Sequence, residues 1–78
     1  MSNLETSIQL VTNELHRATE LFKPFRSQME GQAVIAEEFD EFTEAVRHEG
    51  LNRAREEAIQ LAAMAFRFLV DFPEEKTR

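Results

Sequence analysis

In three stretches of this chain the apolar side chains recur at steps of four and three, and each stretch is bounded by residues that start or stop a helix. Leu4, Ile8, Val11, Leu15, Ala18 and Phe22 make the first row, which ends at Pro24. Ile35, Phe39, Phe42 and Val46 make the second, which ends at Gly50, and Leu61, Met64 and Phe68 carry the third towards Pro73. Such spacing lines one face of a helix of about 3.6 residues per turn and would scatter over both faces of a strand. Ser2 with Glu5 and Ser27 with Glu30 have the pairing of a capping box, and Asn52 is placed to cap the third segment, which runs to about Asp71. Nothing alternates with period two, and there is no repeat, linker or low-complexity tract. The chain therefore reads as one all-α domain over residues 1–78, with three helices and a frayed polar tail over 74–78.

At 78 residues such a domain buries only about 60% of the surface its unfolded chain exposes. The third segment sharpens the shortage. Ala58, Ile59, Ala62, Ala63, Ala65, Phe66, Leu69 and Val70 occupy most of its circumference beside the Glu57 to Phe68 row, leaving Arg53, Glu56, Gln60, Arg67 and Asp71 as its polar stripe. A helix apolar on more than one side needs partners on more than one side. The expectation is a three-helix protomer that completes a helical bundle by oligomerisation, as a dimer or tetramer, with Ala62, Ala63 and Ala65 allowing close backbone approach. A central helix sandwiched by long neighbours of the same chain is the alternative.

Composition excludes several classes. Without cysteine there is neither a disulfide framework nor a thiolate metal site, and His16 and His48 have no ligand-spaced partner. The longest apolar run, Leu61 to Phe66, is too short to span a bilayer, and the amino terminus lacks a leader pattern, so a cytoplasmic protein with no membrane partner is expected. Of the net charge of −6, a balance of −5 falls in residues 25–50, where Arg26 and Arg47 face seven acidic side chains. No basic stripe exists for a nucleic-acid backbone.

That acidic segment holds the functional signal. At about 100° per residue, Glu38 falls in the apolar sector widened by Val34 and Ala45, and Glu41 lies at its border, while Glu37, Asp40 and Glu44 point away as a solvated face. On the third helix Glu57 stands in register with Leu61, Met64 and Phe68. A carboxylate among apolar neighbours loses solvation unless it is paired or bound to a metal. With no cation, Glu38, Glu41 and Glu57 would repel one another, so at least one should titrate above its ordinary range. Arg67, two turns beyond Gln60, is placed either to reach a phosphate or to pair with Asp71 at i,i+4.

These elements resemble the MazG-like all-α nucleoside triphosphate pyrophosphohydrolases. Glu-Glu-Phe-Asp-Glu at 37–41 and Arg-Glu-Glu-Ala-Ile-Gln-Leu-Ala-Ala-Met-Ala at 55–65 look like the two halves of that family's Glu-x-x-Glu and Glu-x-x-Asp signature, over roughly residues 25–70. The resemblance implies an all-α pyrophosphatase-like bundle that binds Mg²⁺, with Mn²⁺ as a substitute, and cleaves a nucleoside triphosphate between its α and β phosphates. It implies Glu38 and Glu41 as catalytic carboxylates and Glu38, Glu41, Glu57 and Gln60 as metal ligands. Gln60 stands where the family has Asp, and a neutral amide holds a hard cation less tightly and cannot act as a base. The competing expectation is a noncatalytic helical oligomer or partner-binding module that keeps this scaffold.

Overall fold

The computed structural model describes residues 3–75, which form three helices: α1 (Asn3–Leu21), α2 (Gln28–His48) and α3 (Leu51–Asp71). There is no strand among the described residues. The capping box at Ser2 and the tail from residue 76 lie outside them; Glu74 and Glu75 are exposed and belong to no helix.

The start of α2 follows its sequence signal with one change. Ser27 is extended, and its Oγ accepts from the Glu30 backbone N–H at 3.0 Å. The Glu30 carboxylate does not close the box on Ser27; it accepts from the backbone N–H of Arg26 at 2.6 Å and pairs with the Arg26 guanidinium. At the other end, Arg47 and His48 occupy the last turn, where cations complement the carbonyl end of a helix. Gly50 then takes φ +89, a conformation that side chains with a Cβ rarely adopt, and itself serves as the N-cap of α3. Asn52 is thus not the cap. The connection is so short that Asn52 already lies inside the helix, and the turn is set by the Gly50 backbone instead of a side-chain acceptor.

Helix α3 lies in the middle of the protomer. Both α1 and α2 pack on it, with no close backbone approach between α1 and α2. Gly31 sits beside Phe68 and the Glu38 to Glu41 turn beside Glu57, so α2 runs antiparallel to α3. Ala18 faces Ala63 and Arg67, so α1 runs alongside in the same sense as α3. This is the sandwiched arrangement expected as the alternative, but it leaves much apolar surface open. Among the described residues the buried apolar side chains are Ala18, Ala45, Ala54, Ala63 and Met64, and no large side chain is fully enclosed.

One sequence expectation is corrected by the packing. The row Ile35, Phe39, Phe42 and Val46 does not centre on the core: Phe39 is 54% and Val46 58% exposed, and the positions of α2 that bury are Gly31 and Ala45, with Val34, Ile35, Glu38 and Phe42 half-buried. Gly31 accounts for this rotation. A Cβ there would stand 2.8 Å from Cδ2 of Phe68 and 3.0 Å from that of Phe25, so glycine lets two phenyl rings approach the α2 backbone and turns that side inward. The polar stripe of α3 is exposed only at its start, where Arg53 and Glu56 face solvent and Gln60 is half-buried. Towards its end Arg67 is buried and Asp71 nearly so, whereas Phe66, Leu69 and Val70 are exposed.

Candidate metal centre

Rotation of α2 carries Glu38 into the interface with α3, where the antiparallel register sets it against Glu57. Glu41 follows one turn later, at the exposed margin. One carboxylate oxygen from each of the three lies within 4.8 Å of the others. Two oxygens on opposite sides of an ion that each binds at 2.0–2.6 Å stand about 4–5 Å apart, so this group is compact enough to hold a metal ion. An all-carboxylate set suits a hard divalent cation and not a soft one.

Two of these carboxylates each carry a buried oxygen with no hydrogen-bond partner among the described residues. Glu57 is 2% exposed and its Oε1 is unbonded, as is the buried Oε2 of Glu38. A buried acceptor left unsatisfied costs about 1–3 kcal/mol, more when it carries charge. Arg53 relieves the other oxygen of Glu57, with Nη2 2.7 Å from Oε2, but the same guanidinium also serves Glu56 at 2.8 Å and Glu49 at 3.4 Å. One half-exposed cation is thus divided among three acids.

The electrostatic result is a raised pKa at both inward carboxyls. Burial is the largest cause at Glu38, followed by the like charges of Glu41, Glu57 and Glu14. Burial again leads at Glu57, where the Arg53 charge pulls the other way and Glu41 adds to the rise. Each side chain holds a proton more readily than a free glutamate does, because burial and like charge dominate at both, outweighing at Glu57 the attraction of Arg53.

A cavity of about 620 Å³ opens next to the cluster, between α1 and α2, with α3 as its floor. Of the three carboxylates only Glu38 lines it. Gln60, Met64 and Arg67 succeed one another along the floor, Val34 and Phe25 supply apolar wall, and the 22–26 connector closes the end remote from Glu38. Its volume falls within the range of small-molecule sites, roughly 300–1,000 Å³. No protein family, curated protein or solved structure gives a match to this chain.

The remaining sequence candidates fall as follows. Gln60 is half-buried at the point where the cavity meets the acidic cluster. Arg67 is 3% exposed, and its guanidinium is engaged by the protein itself. Nη2 donates to the carbonyls of Phe22, at 2.7 Å, and Lys23, Nη1 donates to that of Ala18 at 3.4 Å, and Nε stands 3.6 Å from Asp71. The Asp71 carboxylate also accepts from the Phe25 backbone N–H at 2.8 Å. Of the two roles open to Arg67 in the sequence, the ion pair with Asp71 is present, joined by a clamp on the carboxyl end of α1 that no local pattern announces. Glu37, Asp40 and Glu44 are exposed, as their helix angle requires.

Sequence reasoning also missed the cavity's basic members. Arg17 pairs with Glu14 at 2.6 Å and Arg26 with Glu30 at 3.1 Å, and all four line the cavity with Lys23. Each pair is an ordinary i,i+3 or i,i+4 contact in sequence. Only the meeting of α1, the connector and α2 puts them around one space.

Proposed function

We propose that this protein is a metal-dependent nucleoside triphosphate pyrophosphohydrolase, which cleaves its substrate between the α and β phosphates to give a nucleoside monophosphate and pyrophosphate. The observation that carries the reading is the meeting of three carboxylates within 4.8 Å, two with orphaned buried oxygens, at the edge of a nucleotide-sized cavity. The MazG-like resemblance of residues 37–41 and 55–65 supports the same chemistry.

Glu38, Glu41 and Glu57 would hold Mg²⁺, or Mn²⁺ in its place. Bound there, the cation would supply charge neutralisation for the phosphates and the leaving pyrophosphate. Glu41, the exposed member, is open to solvent and can take a proton from an attacking water. Glu38 belongs to both the cluster and the cavity, so it fixes where the phosphate end of a ligand meets its organic part. Phe25, Val34 and Met64 offer apolar contact for the nucleoside. Glu57, 2% exposed, closes the site on its α3 side.

Pyrophosphate release from a panel of canonical and noncanonical nucleoside triphosphates, with Mg²⁺ or Mn²⁺, tests the reading. Release is expected for at least one nucleotide, falling about 100-fold or more in Glu38→Gln, the scale seen when an electrostatic group of a reaction centre is removed. The outcome against it is no turnover of any nucleotide together with no effect of cations on melting. That result would favour the second reading, a noncatalytic helical oligomer or partner-binding module, to which the uncharged Gln60 and the open apolar face of α3 lend support.

In either reading a second copy covers that face. Phe66, Leu69 and Val70 are 51%, 66% and 66% exposed on one side of α3, with Phe39 and Val46 exposed on the neighbouring helix. Such a face on a thin core is the signature of an unfinished bundle. A dimer or tetramer is expected in sedimentation equilibrium. Phe66→Lys combined with Leu69→Lys should shift the mass towards the protomer, and an unchanged monomeric mass in the parent protein would contradict the assignment.

A further inference from the structure

We infer that Gln60 is a ligand-contacting residue and not a fourth metal ligand: its amide Nε2 donates to a nonbridging oxygen of a phosphate held beside Glu38 and Glu57. The inference rests on the hydrolase reading for the cation and the phosphate, and concerns what this chain does at the one position where it lacks a carboxylate.

Three observations converge on Gln60. Its place is the first. One turn beyond Glu57 on α3, it lines the cavity that Glu57 and Glu41 do not line and Glu38 does, so it stands where the cluster gives way to the open space. The second is its freedom: the half-buried amide makes no hydrogen bond to any described residue. The third is a shortage of other donors at this end. Arg53 is divided among Glu49, Glu56 and Glu57, Arg17 is held by Glu14, and Arg67 by the carbonyls that end α1. Lys23 lies at the connector, about two turns of α3 from Gln60.

Charge decides between the two roles. Three carboxylates already meet in this cluster, so a neutral amide oxygen adds little hold on a divalent ion. A carboxylate in the same place would repel an incoming phosphate, whereas an amide N–H donates to it, and a hydrogen bond to a charged oxygen is among the stronger ones. Gln60 therefore trades cation affinity for anion affinity.

Calorimetric titration of Mn²⁺ alone, and of inorganic pyrophosphate at saturating Mn²⁺, separates the roles without depending on which base the protein accepts. In Gln60→Met, Mn²⁺ affinity should stay within about twofold while pyrophosphate affinity falls about tenfold, the size of one charge-assisted hydrogen bond. In Gln60→Glu, Mn²⁺ should bind more tightly and pyrophosphate more weakly. The inference is overturned if Gln60→Met weakens Mn²⁺ about tenfold and leaves pyrophosphate unchanged, since Gln60 would then be a metal ligand. If the parent protein binds no Mn²⁺, the hydrolase reading fails and takes this inference with it; if it binds Mn²⁺ and pyrophosphate but neither variant alters the second, only the inference fails. Far-ultraviolet circular dichroism of both variants checks that the helices are retained.

Discussion

Glu57→Gln is expected to make the cation-free protein more stable at neutral pH while abolishing its response to divalent cations. These opposite effects have one cause. Glu57 is almost wholly buried, with one oxygen unbonded and the other shared through a single arginine, and its raised pKa means that burial and Glu41 outweigh the attraction of Arg53. Replacing the charge by an amide removes the desolvation penalty and loses only a pair with a half-exposed arginine, a pair worth at most about 1 kcal/mol. A gain of about 1 kcal/mol follows, seen as a rise in the midpoint of thermal or urea unfolding.

The pH dependence has a definite sign. A carboxyl whose pKa is raised on folding makes the native state bind more protons than the unfolded chain between the two values, so stability falls as pH rises through that window. For Glu38 and Glu57 the window opens at the ordinary carboxylate range, about 4.3, and extends upward. Cation-free protein should lose stability from about pH 4.3 towards neutrality on account of these two groups, and Glu57→Gln should flatten that loss. With Mn²⁺ present the parent protein should instead hold or gain stability over the same range, because the bound form of the site is the deprotonated one. A Glu57→Gln protein that is less stable at every pH, yet still melts higher with Mn²⁺, would contradict the account.

The largest loss of stability is expected in Arg67→Met. This side chain joins α1, the connector and α3 through the carbonyls of Ala18, Phe22 and Lys23 and the carboxylate of Asp71, and its guanidinium lies 5.3 Å from the centroid of the Phe25 ring. The last turn of α1 contains no basic residue of its own, so Arg67 supplies the positive charge at that helix end. Methionine preserves much of the packing volume but takes the guanidinium from the carbonyls of Phe22 and Lys23 and leaves Asp71 a buried charge without its cation, while the Ala18 carbonyl keeps its bond from the Phe22 N–H at 2.9 Å. Breaking a buried pair in this way costs about 3–5 kcal/mol. A domain of 78 residues has a total of about 4–12 kcal/mol. Urea unfolding should show the variant largely unfolded or close to it at 25 °C, with Arg67→Lys intermediate, since an ammonium cannot reach all four partners with one planar fork. A loss below about 1 kcal/mol in Arg67→Met would show that the clamp does not hold the connector.

Local signals were legible in the chain wherever a feature depends on neighbours in sequence. The three helices, the Ser27 cap, the breaks near Pro24, Gly50 and Pro73, and the wet row of Glu37, Asp40 and Glu44 all follow from spacing and residue type. The inward lean of Glu38 and Glu57 was legible too, because angle alone placed each among apolar residues. Features that depend on the approach of one helix to another were not. Gly31 gave no hint that Phe25 and Phe68 would press against it and turn the Phe39 and Val46 side outward. The Arg67 clamp on α1 was not legible, although its pair with Asp71 was, because the carbonyls it binds lie more than forty residues away. Asn52 looked like a cap by type, but the positive φ of Gly50 moved the helix start ahead of it. The cavity has no local signature at all, since its walls come from every element of the fold.

The central claim is that Glu38, Glu41 and Glu57 together grip one divalent cation. Calorimetric titration of the parent protein with Mn²⁺ near pH 6, in two buffers of different ionisation enthalpy, tests it most directly. The expected result is saturable binding with net release of protons, as cation replaces proton at the two inward carboxyls. The heats should vanish in Glu57→Gln. Saturable binding that survives in Glu57→Gln, or no binding heat in the parent protein at millimolar Mn²⁺, would contradict it.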